Sequence, residues 1–107
     1  MKPYKIGTVS GTTLYRVERF FESDSDKFID LEINADDKAT IYLPTFSKRV
    51  KLTIKNRKAL LELLKPYGFT LESELTIDRN FKPYITYTTP NLNGEREAVI
   101  AILEQFI

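Results

Sequence analysis

Neither histidine nor cysteine occurs in the 107 residues. Without imidazole no side chain has an unperturbed pKa near neutrality, so general acid or base work would fall to carboxylates, lysine or tyrosine shifted by their surroundings. Ser/His and Cys/His nucleophile pairs are excluded outright. Zinc, copper and iron sites recruit imidazole or thiolate, which leaves hard, oxygen-ligated ions such as Mg²⁺ or Ca²⁺. The lack of thiols fits a reducing compartment. Met1 to Gly11 holds no continuous apolar core for a signal peptide, and no apolar run reaches the roughly 18 residues of a membrane span. The expected location is the cytoplasm, with no membrane partner and no cofactor.

Excess charge is missing as well. Sixteen basic and fifteen acidic residues leave a net charge of +1, so binding to nucleic acid or an anionic membrane would have to come from a local patch. Only four glycines and five prolines, with 42% hydrophobic residues, place the chain among folded globular proteins. Its length suits one α+β domain over residues 1–107, burying roughly two thirds of the unfolded surface.

Apolar residues alternate with period two through the first half, the mark of strands with one buried face. Tyr4, Ile6 and Thr8 lead into the turn pair Ser10-Gly11, after which Tyr15, Val17 and Phe21 share a side interrupted by Arg19. Ile29, Leu31 and Ile33 form the next inner face, Asp36-Asp37-Lys38 the turn, and Ile41 and Leu43 the return. Val50, Leu52 and Ile54 predict a further short strand. A helix follows, capped by Thr53 or Asn56, with Ala59, Leu60, Leu63, Leu64 and Tyr67 as one buried stripe and Pro66 and Gly68 as its stop. In the second hairpin Phe69, Leu71, Leu75 and Ile77 are expected to face inward, Asp78 to Asn80 to turn, and Phe81, Ile85 and Tyr87 to return on the same side. A closing helix begins near the candidate cap Asn93 and buries Val99, Ile102, Leu103 and Phe106.

The predicted fold is therefore α+β, an antiparallel sheet of about six to seven strands with two helices on one face, in the order ββ-ββ(β)α-ββα. An internal ββα duplication is one reading of that order. Shifted by 44 positions, Leu31, Ile33, Lys38 and Ile41 match Leu75, Ile77, Lys82 and Ile85, with Asn34 opposite Asp78; shifted by 39, Arg57, Ala59 and Leu64 match Arg96, Ala98 and Leu103. The discrepancy of five is about the length of the expected strand Val50 to Ile54. The other reading is that two hairpins of similar design match by patterning alone.

Charge is unevenly placed. Seven carboxylates and one lysine lie between Glu22 and Asp37, whereas Lys48 to Lys58 holds six basic residues and no acid. Strand alternation would put Arg49, Lys51 and Lys55 on an outer face that continues into Arg57 and Lys58 at a helix start. Cations there oppose the helix dipole by roughly a few tenths of a kcal/mol, while Glu95 and Glu97 suit the second helix. Such a corner can hold a phosphate or carboxylate; it can equally be a solvated face, or one paired with the acidic hairpin. Tyr42 and Phe46 are the best candidates for exposed rings beside it, the combination that holds single-stranded nucleic acids.

Two other patterns are weaker. Glu22, Asp24 and Asp26 resemble the start of a calcium loop, but Lys27 stands where the turn needs glycine and Ile33 where a bidentate glutamate would close the site. Glu72 and Glu74 share a strand face with Lys82, Tyr84, Thr86 and Thr88 on the partner strand; without a further catalytic group these read as the solvated side of a hairpin. No glycine-rich phosphate loop or zinc-knuckle spacing occurs. These exclusions favour a non-enzymatic protein-binding module, an adaptor, inhibitor or subunit, whose partner is another protein or a second copy of the chain. The alternative is a nucleic-acid-binding protein using Arg49, Lys51, Lys55, Arg57 and Lys58 with Tyr42 and Phe46.

Overall fold

The computed structural model describes residues 4–19 and 27–107. Phe21 and the acidic triplet Glu22, Asp24 and Asp26 lie outside the described residues. The elements are β1 (Tyr4–Val9), β2 (Thr12–Arg19), β3 (Lys27–Ile33), β4 (Ala39–Pro44), α1 (Ile54–Leu64), β5 (Thr70–Ile77), β6 (Pro83–Thr89) and α2 (Arg96–Glu104). The six strands form one antiparallel sheet in the order β1-β2-β3-β4-β6-β5. Ser10 and Gly11 both take positive φ, the conformation that a two-residue turn needs to match strand twist, so β1 and β2 close as the expected hairpin.

Period two does its work on β2, β3 and β4. Val17, Ile29, Leu31, Ile41 and Leu43 are buried on one side of the sheet, where Leu60 and Leu64 of α1 and Val99 and Leu103 of α2 close over them. Thr53 caps α1, its hydroxyl accepting from the Asn56 amide at 3.1 Å. Gly68 at φ +87° ends the 3-10 turn that follows α1, and a Cβ there would stand 2.7 Å from Thr89 Oγ1. Thr89 in turn donates to the Tyr67 carbonyl at 3.0 Å, tying the end of α1 to the sheet.

The two ββα units repeat in detail. In the β3–β4 turn the Asn34 side chain accepts from the amides of Asp36 (2.9 Å) and Lys38 (3.0 Å), with Asp37 at positive φ. In the β5–β6 turn, 44 residues on, Asp78 accepts from Asn80 (2.8 Å) and Lys82 (2.9 Å), with Phe81 at positive φ. The β4–β6 ladder is self-consistent under the same shift: Ile41 pairs with Tyr87 and Leu43 with Ile85, and moving each partner by 44 exchanges the two pairs. The pair Tyr42–Thr86 maps onto itself, so a local two-fold axis passes through it. Patterning of hydrophobicity alone would not reproduce side-chain turn bonds and register together. The β1–β2 hairpin is added to one edge of this pseudo-symmetric core.

Several expectations are corrected. Val50 to Ile54 is not a strand: residues 48–50 form a turn, Leu52 is buried as a single anchor, and Ile54 opens α1 because the Thr53 cap redirects the chain. Asn93 does not cap α2; it sits at φ +56° in a preceding turn with its amide on Asn91 Oδ1, and Glu95 leads into the helix. Leu71, Leu75 and Ile77 are exposed rather than inward, and Phe81 is 86% exposed at the turn. β5 is an edge strand, so even Leu71, which pairs with the buried Tyr87, keeps an open flank, and two register shifts against β6, between Leu71 and Ser73 and between Ser73 and Thr76, break the alternation around Leu75. Each inserts a residue and changes which side its neighbours take. β1 carries a similar shift between Lys5 and Gly7, so both edge strands are bulged, a common way to blunt an edge against pairing with another sheet.

Candidate functional site

The face of the sheet away from the helices is not a flat solvated surface. Thr86 is 0%, Asp30 6% and Tyr84 8% exposed, although no helix among the described residues covers them. The sheet curls about this side, and a cavity of about 800 Å³ is lined by Ile6 and Val9 of β1, Leu14 of β2, Asp30, Tyr42 and Tyr84 on its floor, and Ile77 and Arg79 at the far wall. Both edge strands therefore border one groove. A smaller hollow lined by Thr12, Glu32, Thr40, Tyr42 and Glu72 adjoins it.

Cross-strand register builds the floor. Arg16 on β2 faces Asp30 on β3, which faces Tyr42 on β4, which faces Thr86 on β6. The Arg16 guanidinium donates twice to the Asp30 carboxylate, at 2.8 and 2.9 Å, and lies 4.1 Å over the Phe28 ring. This planar fork fixes both groups at once. Tyr42 donates its hydroxyl to Glu32 at 2.6 Å, and Thr86 donates to Glu72 at 3.2 Å. Aromatic rings complete the floor: Phe28 on Phe46 at 6.2 Å, Phe46 edge-on to Tyr84 at 5.7 Å, and Tyr84 edge-on to Tyr42 at 6.0 Å. Among the described residues no buried side-chain nitrogen or oxygen lacks a hydrogen-bond partner.

Burial, then the hydrogen bond to Glu32, raises the Tyr42 pKa well above the ordinary tyrosine value. Burial, followed by the negative charge of Asp78, raises Tyr84 as well. Both phenols stay protonated donors at neutral pH. The pair Glu72 and Glu74 is separated by the second bulge of β5: Glu72 reaches Thr86 on the groove side, whereas Glu74 falls with Leu75 opposite Ile85. No group of three acidic side chains among the described residues is arranged to hold a metal ion.

The proposed cation and aromatic residues occupy different parts of the molecule. Tyr42 and Phe46 belong to the groove floor, Tyr42 against an acid and Phe46 against Lys82, whose ammonium lies 5.1 Å from the ring. Arg49 and Lys51 are on the loop before α1, Lys55, Arg57 and Lys58 on its first turns; all but the half-buried Arg57 are exposed. Adjacency in the chain had grouped rings and cations that β4 and α1 place on opposite faces. Sequence reasoning missed Arg16, Asp30, Glu32 and Phe28 as site residues. Their signal was a strand whose outward positions, Asp30 and Glu32, are charged beside a strand offering Arg16.

A second hollow, of about 550 Å³, lies at the start of α2, lined by Tyr15, Asp37, Gly94 and Arg96 among others. Its polar groups are engaged with one another: Gly94 donates its amide to Asp37 Oδ2 at 3.0 Å, and Arg96 donates to the Tyr15 hydroxyl at 2.9 Å. Among the described residues no helix is long and apolar enough to cross a membrane. Compared with family models, curated proteins and solved structures, the chain matches none.

Proposed function

We propose that the chain is a non-enzymatic binding module of the cytoplasm, whose concave sheet face receives a segment of another protein. The observation that carries this reading is a groove whose floor is already complete. Its acids are tied to Arg16, Tyr42 and Thr86, and among the described residues its buried polar side-chain atoms are satisfied by the chain's own groups. Such a floor loses little conformational freedom on binding, which favours affinity. It is a poor catalytic centre, since an acid or base must be free to exchange its proton with a substrate. The rim supplies what the floor lacks: Ile6, Val9 and Ile77 are exposed apolar side chains around a polar, aromatic base, the composition of many protein interfaces.

The test is capture with the purified chain as bait, run in parallel with Leu14→Arg, which puts a long cation into the groove from a half-buried position. A partner held by the native chain and lost with Leu14→Arg is the expected result. Recovery of no partner, together with turnover of a metabolite by the pure protein, would remove the reading.

A further inference from the structure

We propose that the corner formed by residues 48–53 and the first turns of α1 docks on the phosphate backbone of a nucleic-acid duplex. Lys48, Lys51, Lys55 and Lys58 are exposed, and none has an ion-pair partner among the described residues. No carboxylate occurs from residue 38 to residue 61, and the first one beyond, Glu62, is taken by Lys65 at 2.8 Å. Of the described acids that might have neutralised the corner, Asp30 is held by Arg16, Glu32 by Tyr42, and Asp37 by the Gly94 amide.

The internal repeat sharpens this. At α2, the Asp37 carboxylate meets the loop that enters the helix, and Glu97 lies in its first turn. Under the shift of 44 the counterpart of Asp37 is Phe81, and the first turn of α1 holds no acid. One unit carries its own negative charge at the helix entry. The other gathers lysines there, an arrangement that opposes the helix dipole and repels itself. An external polyanion relieves both.

Three features select a duplex. No aromatic residue lies between residues 47 and 66, and the rings of Tyr42 and Phe46 are engaged on the other side of the sheet, so among the described residues the corner has no stacking platform of the kind by which single strands are held. Lys55 and Lys58 stand three apart on the helix side opposite the buried Leu60 and Leu64, with Lys51 just before the cap, forming a convex row of point charges. A bilayer would need an apolar helix face, but that of α1 is spent on the core; among the described residues Ile54, 64% exposed, is the one large apolar side chain that is exposed among these cations. The net charge of +1 does not oppose docking, because at physiological salt charges act over about 8 Å and the acids of the groove lie on the opposite face.

Duplex docking at this corner is independent of the groove and is tested by fluorescence anisotropy with a labelled duplex of about 20 base pairs, as DNA and as RNA. Parallel arms use the corresponding single strands and vesicles containing phosphatidylglycerol. Four phosphate contacts predict about a hundredfold loss of duplex affinity between roughly 50 and 200 mM salt. The triple variant Lys51→Ala, Lys55→Ala, Lys58→Ala, checked for native circular dichroism, should lower the slope of log affinity against log salt by about 3 units. Leu14→Arg should leave duplex binding unchanged, so failure here and failure of the groove are separate results. No duplex binding at about 50 mM salt, a triple variant that binds like the native chain, or tighter binding to vesicles or single strands than to duplex would each overturn the proposal.

Discussion

On the helix-covered side of the sheet, Ile29, Leu31, Ile41 and Leu43 are buried against apolar side chains alone, whereas one residue away on the same strands Asp30 and Tyr42 are withdrawn from water among charges and rings. The first side is held by area removed from water, which is strong and indifferent to direction. The second is held by directional bonds, each small in net worth but costly to break once buried. One strand thus builds both the apolar core that keeps the molecule folded and the polar floor of the proposed binding groove. On the groove face the polar groups hold each other, and among the described residues no helix lies on it.

Substitutions that weigh one side against the other make the contrast measurable. Leu60→Ala or Ile41→Ala opens a cavity on the apolar side, and urea titration should show a loss of about 2 to 5 kcal/mol. Asp30→Ala should cost about 2 kcal/mol, because it removes a two-point ion pair that is largely withdrawn from water on the Asp30 side and partly screened at Arg16, whose side chain is 29% exposed. Replacing both members, as Arg16→Met with Asp30→Leu, should recover most of that loss; an apolar pair as costly as the single change would mean that the ion pair stabilises the sheet in its own right. Tyr42→Phe should cost about 1 kcal/mol, the net worth of its bond to Glu32.

Alkaline pH offers a gentler comparison. Burial raises the pKa of Tyr42, Tyr84 and Tyr87 in the folded chain, so their neutral forms contribute fully below about pH 10, and that contribution is lost as pH climbs beyond it. Stability measured by thermal melting should therefore fall above about pH 10, and Tyr42→Phe should flatten the decline. A native chain whose melting temperature is level through that range would contradict the burial assigned to these phenols.

Much of the fold was legible because local rules and long-range packing agree at the same residues. Alternation places Ile29, Leu31, Ile41 and Leu43 on one side, helical spacing selects Leu60, Leu64, Val99 and Leu103, Thr53 caps α1, and Gly68 ends the 3-10 turn that follows it. The shift of 44 was legible too, and its meaning became clear in turn bonds and register. What escaped depends on departures from a uniform pleat. The edge position of β5 and its two added residues leave Leu71, Leu75 and Ile77 exposed, and curling of the sheet draws Tyr84 and Thr86 out of water, neither of which has a local periodic signal. The site was half legible for the same reason: Tyr42 was found, but Arg16, Asp30 and Glu32 join it across strands rather than along the chain.

Hydrogen–deuterium exchange on the chain with and without its captured partner tests most directly whether the groove is the partner surface. Added protection should gather on β2, the β5–β6 turn and the exposed amides of β1, with α2 unchanged. Protection centred on α2 or on the hollow beside Tyr15 and Arg96, with the groove unaffected, would contradict it.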